Sequence, residues 1–255
     1  MITLCMVVRN EAQLLGACLK QINDFVNEIV IVDQSSTDET VEVARKFTSR
    51  VYIRPRAGIP EADRQFSIDR ASLPWILILD PDEVLDDRLK NNFQQLMDSG
   101  YEAFWIPRKN FIDGKYYGNA GDDLQLRFFK KDAVRWPPVV HAYPILNTDK
   151  VGRVNDGFII HSRSFERLKK AHCERNRFVD ERVRRRETRF IEDVEKWLHQ
   201  AGQQETFTGQ DLTADMVGTP GVTFDLATTL REFEASGESM SDEEATYRFL
   251  YELSK

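Results

Sequence analysis

The apolar run Trp75-Ile-Leu-Ile-Leu79 ends in three carboxylates within four residues, Asp80-Pro-Asp82-Glu83. A run of that length suits one buried strand. A carboxylate at the end of such a strand is costly unless something pairs with it. One partner is a divalent cation, since two aspartates one residue apart can ligate a hard ion that shares its other positions with phosphates. The other reading is an acidic helix start, with Asp82, Glu83, Asp86 and Asp87 favoured by the next helix's dipole. The motif by itself permits both.

Its surroundings narrow the fold. Thr3–Val8, Glu28–Asp33, Arg50–Ile53 and Trp75–Leu79 read as strands. Between them, Gln13–Ile22, Asp38–Phe47 (with Asp38 as N-cap) and Pro60–Ala71 read as helices. Strands alternating with helices of about ten residues predict βαβ units and a mostly parallel sheet with helices on both faces. From Tyr101 the pattern turns to aromatic-rich strands and loops, with Ala103–Pro107, Leu124–Lys130 and Gly157–His161 the clearest strands. Ser164–His199 reads as one or two long charged helices. Short helices are expected near Phe224–Ala235 and Asp242–Leu253, the second with Ser241 and Glu244 as a capping box. The expected division is an α/β domain over 1–163, with halves at about 1–100 and 101–163, and a mainly helical extension over 164–255.

Charge and cysteine content limit the function classes. A net charge of −7 argues against a general nucleic-acid coat. No apolar run approaches the length of a membrane span, and Met1–Val8 lacks the basic start of a signal peptide. Cys5, Cys18 and Cys173 have no metal-type spacing and are expected to be reduced, inert thiols in a cytoplasmic protein. Between Arg163 and Arg189 basic residues outnumber acidic ones about two to one, peaking at Arg184-Arg185-Arg186. This is either a solvated helix face or a platform for an anionic acceptor or a membrane surface.

Polar clusters follow the predicted strands: Arg9-Asn10-Glu11, Asp33 to Asp38, and Asp80 to Glu83, with Asp122-Asp123 at a later strand boundary. A parallel sheet gathers the first three along one edge, where ligands bind in open α/β folds. Neither a Gly-x-Gly-x-x-Gly nor a P-loop pattern is present. A nucleotide diphosphate held through a metal fits this better than one held by a glycine-rich loop.

Three segments together resemble glycosyltransferase family 2, with its GT-A fold, and most of all its lipopolysaccharide-core glucosyltransferase branch. They are Val7-Val-Arg9-Asn10-Glu11, Ile29-Val-Ile-Val-Asp33-x-x-Ser36-Thr37-Asp38, and Trp75 to Glu83. Arg64-Gln65, Asp123-Leu-Gln-Leu-Arg127-Phe-Phe, His141 and His161 extend the likeness to about residue 175. The resemblance implies a donor site of Arg9, Glu11, Asp33, Arg64 and Asp80, with Asp33 at the base or ribose and Arg64 at the pyrophosphate. It implies Asp82 and His161 as ligands of Mn²⁺ or Mg²⁺, and Asp123 as general base, with Asp122 a rival. The implied reaction is inverting transfer of a hexose from a nucleotide-diphosphate sugar, a UDP-sugar first among them, to a hydroxyl of an envelope glycan or other glycoconjugate. Such a protein would work in the cytoplasm or at the inner membrane face. Three positions depart from the family: Gln34 stands where many members have a second aspartate, Pro81 replaces a small residue, and Ala142 follows His141 where the branch has an acid.

Other readings remain open: glycosylation of a modified nucleic acid, a sugar nucleotidyltransferase, or a nucleotide-sugar-binding module without catalysis. The nucleotidyltransferase should carry a glycine-rich loop with a basic residue near its first strand, which this chain lacks. Asp80, Asp82 and Asp123 speak against the loss of catalysis.

Overall fold

The computed structural model describes residues 1–118, 123–139, 143–175, 177 and 181–201. The first half alternates as expected: β1 (Ile2–Val8), α1 (Ala12–Ile22), β2 (Glu28–Asp33), α2 (Thr40–Arg45), β3 (Val51–Ile53), α3 (Glu61–Arg70) and β4 (Trp75–Ile78). Next come β5 (Glu83–Leu85), α4 (Asp87–Asp98), β6 (Ala103–Ile112), β7 (Lys115–Tyr116) and β8 (Asp123–Lys130). The described chain continues through β9 (Val134–Arg135), β10 (Ile145–Leu146), β11 (Val151–Arg153), β12 (Ile159–Arg163), α5 (Phe165–Arg175) and α6 (Glu181–Ala201). The predicted helices beyond 201 lie outside the described residues, as do Asp122 and His141.

Ten strands form one sheet in the order β3-β2-β1-β4-β8-β6-β12-β5, with β7 and β11 also on β6. The sheet is parallel from β3 to β4 and mixed beyond, because β8 runs antiparallel to both β4 and β6. Every residue of β1 is buried, as a central parallel strand covered on both faces requires. Its alternate side chains feed two cores. Leu4, Met6 and Val8 join Leu15, Leu19 and Phe93 of α1 and α4, while Cys5 joins Ile68 of α3 with Ile76, Ile78 and Phe129. Trp75 stacks on Phe128 with ring centroids 4.6 Å apart, and the edge of Phe93 meets Phe128 at the same separation. A third, smaller core of Ile112, Leu168 and Val194 ties α5 and α6 to the end of β6.

One open reading is decided and one expectation is revised. Asp82 and Glu83 do not open a helix. Glu83 enters β5, paired antiparallel with β12 so that it faces His161, and α4 starts later. There Asp86 Oδ1 accepts the Leu89 N–H at 2.9 Å as N-cap. The same oxygen accepts the Phe158 N–H at 3.0 Å, which fixes the entry to β12. Gly157 just before it has φ 103°, and a Cβ there would lie 2.4 Å from Leu89 N, so only glycine permits this approach. Asp38 is not the residue flanking α2 either. It sits two residues before Thr40 and binds the Thr40 N–H at 3.1 Å and the Ala12 N–H at 3.3 Å, joining the starts of α1 and α2.

Candidate active site

Strand directions decide which side chains meet. β1, β2 and β4 are parallel, with Val8 opposite Asp33, so their C-terminal clusters share one edge. β8 runs the other way and therefore starts at that edge, with Asp123 opposite Arg108 of β6. β12 is parallel to β6 and brings His161 and Arg163 to the same place. The edge thus collects Glu11, Asp33, Asp80, Asp82, Asp123 and His161.

The centre of the edge is a lattice of buried ion pairs. Arg64 Nη2 donates to Asp80 Oδ1 at 2.9 Å, and Arg127 Nη2 donates to Asp80 Oδ2 at 2.9 Å and to Glu83 Oε1 at 3.0 Å. Arg108 donates from Nη1 to Glu83 Oε1 at 2.8 Å and from Nε to Asp123 Oδ2 at 2.8 Å. Glu83 Oε2 also accepts the Asp80 N–H at 2.9 Å, closing the loop around Pro81. Burial alone would raise the Asp80 pKa, but Arg64 and Arg127 hold it far below the usual carboxylate range. Arg64 Nη1 and Arg127 Nε and Nη1 are buried without a hydrogen-bond partner among the described residues. Arg64 also lies 5.2 Å from the Trp136 ring.

Asp123 accepts from Asn110 Nδ2 at 2.9 Å and Gln125 Nε2 at 2.6 Å. Burial opposes ionisation, yet Arg108 and Asn110 keep its pKa below normal, so it is a carboxylate at neutral pH. Asn110 turns its other end to His161, with Oδ1 2.6 Å from Nδ1. That contact assigns the proton to Nδ1 and leaves the Nε2 lone pair facing Asp82, whose Oδ2 is 3.5 Å away. Burial also lowers the His161 pKa, favouring the neutral ring.

Asp82 is paired more loosely. The nearest guanidinium nitrogens are Arg167 Nε at 3.6 Å and Arg163 Nε at 3.8 Å. Burial pushes its pKa up, but His161, once protonated in acid, and Arg163 bring it down to about 2. Arg163 Nη2 also contacts His161 Nε2. Arg167, in the first turn of α5, donates to both oxygens of Glu11 at 2.7 and 2.8 Å. Burial nonetheless leaves the Glu11 pKa raised. Over the groups these contacts join, Glu11, Asp80, Asp82, Glu83 and Asp123 are balanced by Arg64, Arg108, Arg127, Arg163 and Arg167, five charges of each sign.

The remaining expected donor residues shape the adjoining loops. Asp33 closes its own turn by accepting the Ser36 N–H at 2.8 Å. Arg9 Nη1 donates to the carbonyls of Gln34 and Ser35, and Asn10 Oδ1 accepts the Thr37 N–H at 2.8 Å. Asn10 and Ser35 adopt positive φ, 55° and 53°, an uncommon conformation held here by these cross-loop bonds. Gln34 Nε2 donates to Asp63 Oδ2 at 2.8 Å. An aspartate at 34 could only accept, and would set two carboxylates against each other. The departure at this position therefore has a local cause.

No cluster of three or more histidine, cysteine, aspartate or glutamate side chains with metal-binding geometry exists among the described residues. The pair Asp82 and His161 still fits a cation that draws its other ligands from phosphates and water. Their separation of 3.5 Å is close to the ~3 Å expected between cis ligands of an octahedral ion with bonds near 2.1 Å. The Asn110 contact supplies the orienting partner that metal-bound histidines ordinarily have.

A family model described as "Glycosyl transferase family 2" matches residues 3–146. The chain belongs to glycosyltransferase family 2. Among family relatives, the lipopolysaccharide core biosynthesis glycosyltransferase LpsC of Rhizobium meliloti is 27% identical over 164 residues, covering 60% of each protein. A TPR repeat-containing protein of Synechococcus elongatus is 38% identical over 84 residues, covering 33% of this chain and 21% of that one. The chain therefore spans about a fifth to three fifths of the length of these curated relatives. S. aureus TarS residues 1–349, crystallised in complex with UDP, superposes with a TM-score of 0.51 at 13% identity, over 68% of this chain and 64% of that one. That similarity shows the shared GT-A fold, a curled mixed sheet with helices on both sides.

Sequence reasoning about this family 2 chain passed over Glu83, Arg108, Asn110, Arg163 and Arg167 as site residues, and quoted Arg127 without a role. Most carried a usable signal. Asp123, Gln125 and Arg127 alternate along β8, Arg108 and Asn110 along β6, and His161 and Arg163 along β12. Each set shares one strand face by the two-residue period. Arg167 carried none, since it meets Glu11 across 156 positions of sequence.

Proposed function

We propose that this chain is a metal-dependent, inverting glycosyltransferase that moves a hexose from a nucleotide-diphosphate sugar, with UDP as the nucleotide, to a hydroxyl acceptor. The observation that carries this reading is the juxtaposition through Asn110 of two sites. One is the Asp82–His161 pair; the other is the ionised Asp123 carboxylate. A divalent cation on Asp82 and His161 would neutralise the charge that develops on a diphosphate leaving group. Glu11, Asp33, Arg9 and Arg64 belong to the donor side. The buried, unpartnered nitrogens of Arg64 and Arg127 leave donors for an anion beside Asp80. Asp123 takes the proton of the acceptor hydroxyl; held low by Arg108 and Asn110, it is a weak base that suits transfer late along the reaction. The UDP donor is supported by the complex of TarS with UDP, and an envelope glycan acceptor by the name of LpsC. Arg184, Arg185 and Arg186 lie exposed on α6, Arg185 paired with Glu181, and make a basic surface suited to an anionic acceptor or the inner face of a membrane. No helix among the described residues is long and apolar enough to cross one.

Thermal-shift measurements with UDP, GDP, CMP and dTDP, each with and without Mn²⁺, test the donor. One nucleotide diphosphate should stabilise the protein only with Mn²⁺, by a few kcal/mol at saturating concentration. No shift with any of them would sink the reading. Asp123→Asn should leave that shift intact while turnover falls by roughly 10²–10⁴.

A further inference from the structure

The metal pair and the guanidinium groups compete for one place. Arg163 Nη2 contacts His161 Nε2, the nitrogen with the free lone pair, while Arg163 and Arg167 flank Asp82 Oδ2 at 3.8 and 3.6 Å. A cation cannot bind Asp82 and His161 while Arg163 stays there. The charge balance raises the same obstacle: the linked network is already neutral, five carboxylates to five guanidiniums, so a divalent ion alone would add two uncompensated charges to a largely buried site. A nucleotide diphosphate brings two or more negative charges and would cancel them.

The two arginines are also the most exposed of the five. Their side chains are 20% and 33% exposed, against 17% for Arg108, 6% for Arg64 and 4% for Arg127. Arg163 ends β12 and Arg167 begins α5, so a small shift at this junction re-aims both. Guanidinium binds phosphate as readily as carboxylate.

We propose that Arg163 and Arg167 are an exchangeable counter-ion latch. Without donor they neutralise Asp82 and Glu11 and cover the histidine lone pair. When metal and nucleotide diphosphate arrive together, they transfer to the phosphate oxygens. Metal and nucleotide then bind as a pair, each weakly alone. This rests on the donor-site reading above and adds to it that two arginines outside the expected donor set impose the coupling.

The latch predicts effects of opposite sign from one substitution. Binding of Mn²⁺ to the full chain is followed by loss of the free-ion electron paramagnetic resonance signal, with and without UDP. Wild type should bind Mn²⁺ poorly alone and well with UDP. Arg163→Gln/Arg167→Gln should bind Mn²⁺ alone at least about tenfold more tightly, because two like charges near the site are gone. It should bind UDP with Mn²⁺ about tenfold more weakly. The single variants Arg163→Lys and Arg167→Lys, which keep the charge and the fold's demands, should fall between. Mn²⁺ affinity in the absence of UDP that is unchanged or weaker in every variant would overturn the latch while leaving the donor site standing. Wild type that takes up no Mn²⁺ even with UDP would remove the donor-site reading, and the latch with it.

Discussion

Around Asp80 and Glu83 each carboxylate meets guanidinium nitrogens at 2.8–3.0 Å, with Arg127 almost wholly inside. One loop turn away, Asp82 has its cationic neighbours at 3.6–3.8 Å, on arginines that reach solvent. Both groups come from the same acidic tetrapeptide, yet one is closed and the other exchangeable. The closed half behaves as the floor of the site: its charges satisfy each other and hold β4, β5, β6 and β8 in register. The open half keeps a carboxylate and an imidazole that an incoming ligand can claim. A site needs both, because an exchangeable group is positioned only as well as the rigid one beneath it.

The largest break in this contrast should come from Arg127→Met. Removing Arg127 leaves Asp80 with Arg64 alone and Glu83 with Arg108 alone, one positive charge short in a buried network, a loss of roughly 3–5 kcal/mol. Arg163→Gln, by comparison, should cost no more than about 1 kcal/mol, as for a partly exposed pair. Chemical denaturation of the two variants measures the difference, and equal losses would mean the two halves are not distinct.

An intermediate effect is expected in acid. The Asp82 pKa lies at about 2 in the fold against 3.8 unperturbed. Its contribution is therefore complete above about pH 4 and lost as pH falls through 2, and amounts to about 2 kcal/mol. Wild type and Asp82→Asn, compared by urea unfolding at pH 5 and near pH 2, should differ in stability by about 2 kcal/mol less at the lower pH. A gap that stays constant would show that His161 and Arg163 do not hold Asp82 down.

The smallest effect calibrates the others. Arg185 and Glu181 form an exposed pair one helical turn apart on α6. Glu181→Gln should change stability by no more than about 0.3–0.5 kcal/mol. A larger loss would mean that this end of α6 is packed like the site, and that exposure is a poor guide to which ion pairs matter.

Much of the fold was legible because it rests on local patterns. Apolar runs of four to seven residues separated by amphipathic helices admit few arrangements besides parallel βαβ units. The clusters after β1, β2 and β4 share one edge for that reason alone. The boundaries of β6 were less visible. Arg108 and Asn110 look like loop residues, but they are strand residues whose side chains share the face that meets Asp123 and His161, while Lys109 between them sits over the Phe158 ring. The start of α4 stayed open because carboxylates before a helix look alike in sequence. Only the pairing of Glu83 with β12 separates Glu83 in a strand from Asp86 as a cap.

By itself, then, the sequence determined the strand–helix alternation, the family, and the placement of Glu11, Asp33, Asp80 and Asp82 along one sheet edge, since period and strand direction are short-range properties. Which carboxylate is saturated and which is exchangeable was decided only by tertiary structure. Arg64, Arg108, Arg127, Arg163 and Arg167 come from five different elements or junctions, and their distances to the acids depend on how those elements cross. Coulombic pairing falls off with distance and rises with burial, and neither quantity is written in the order of residues along the chain.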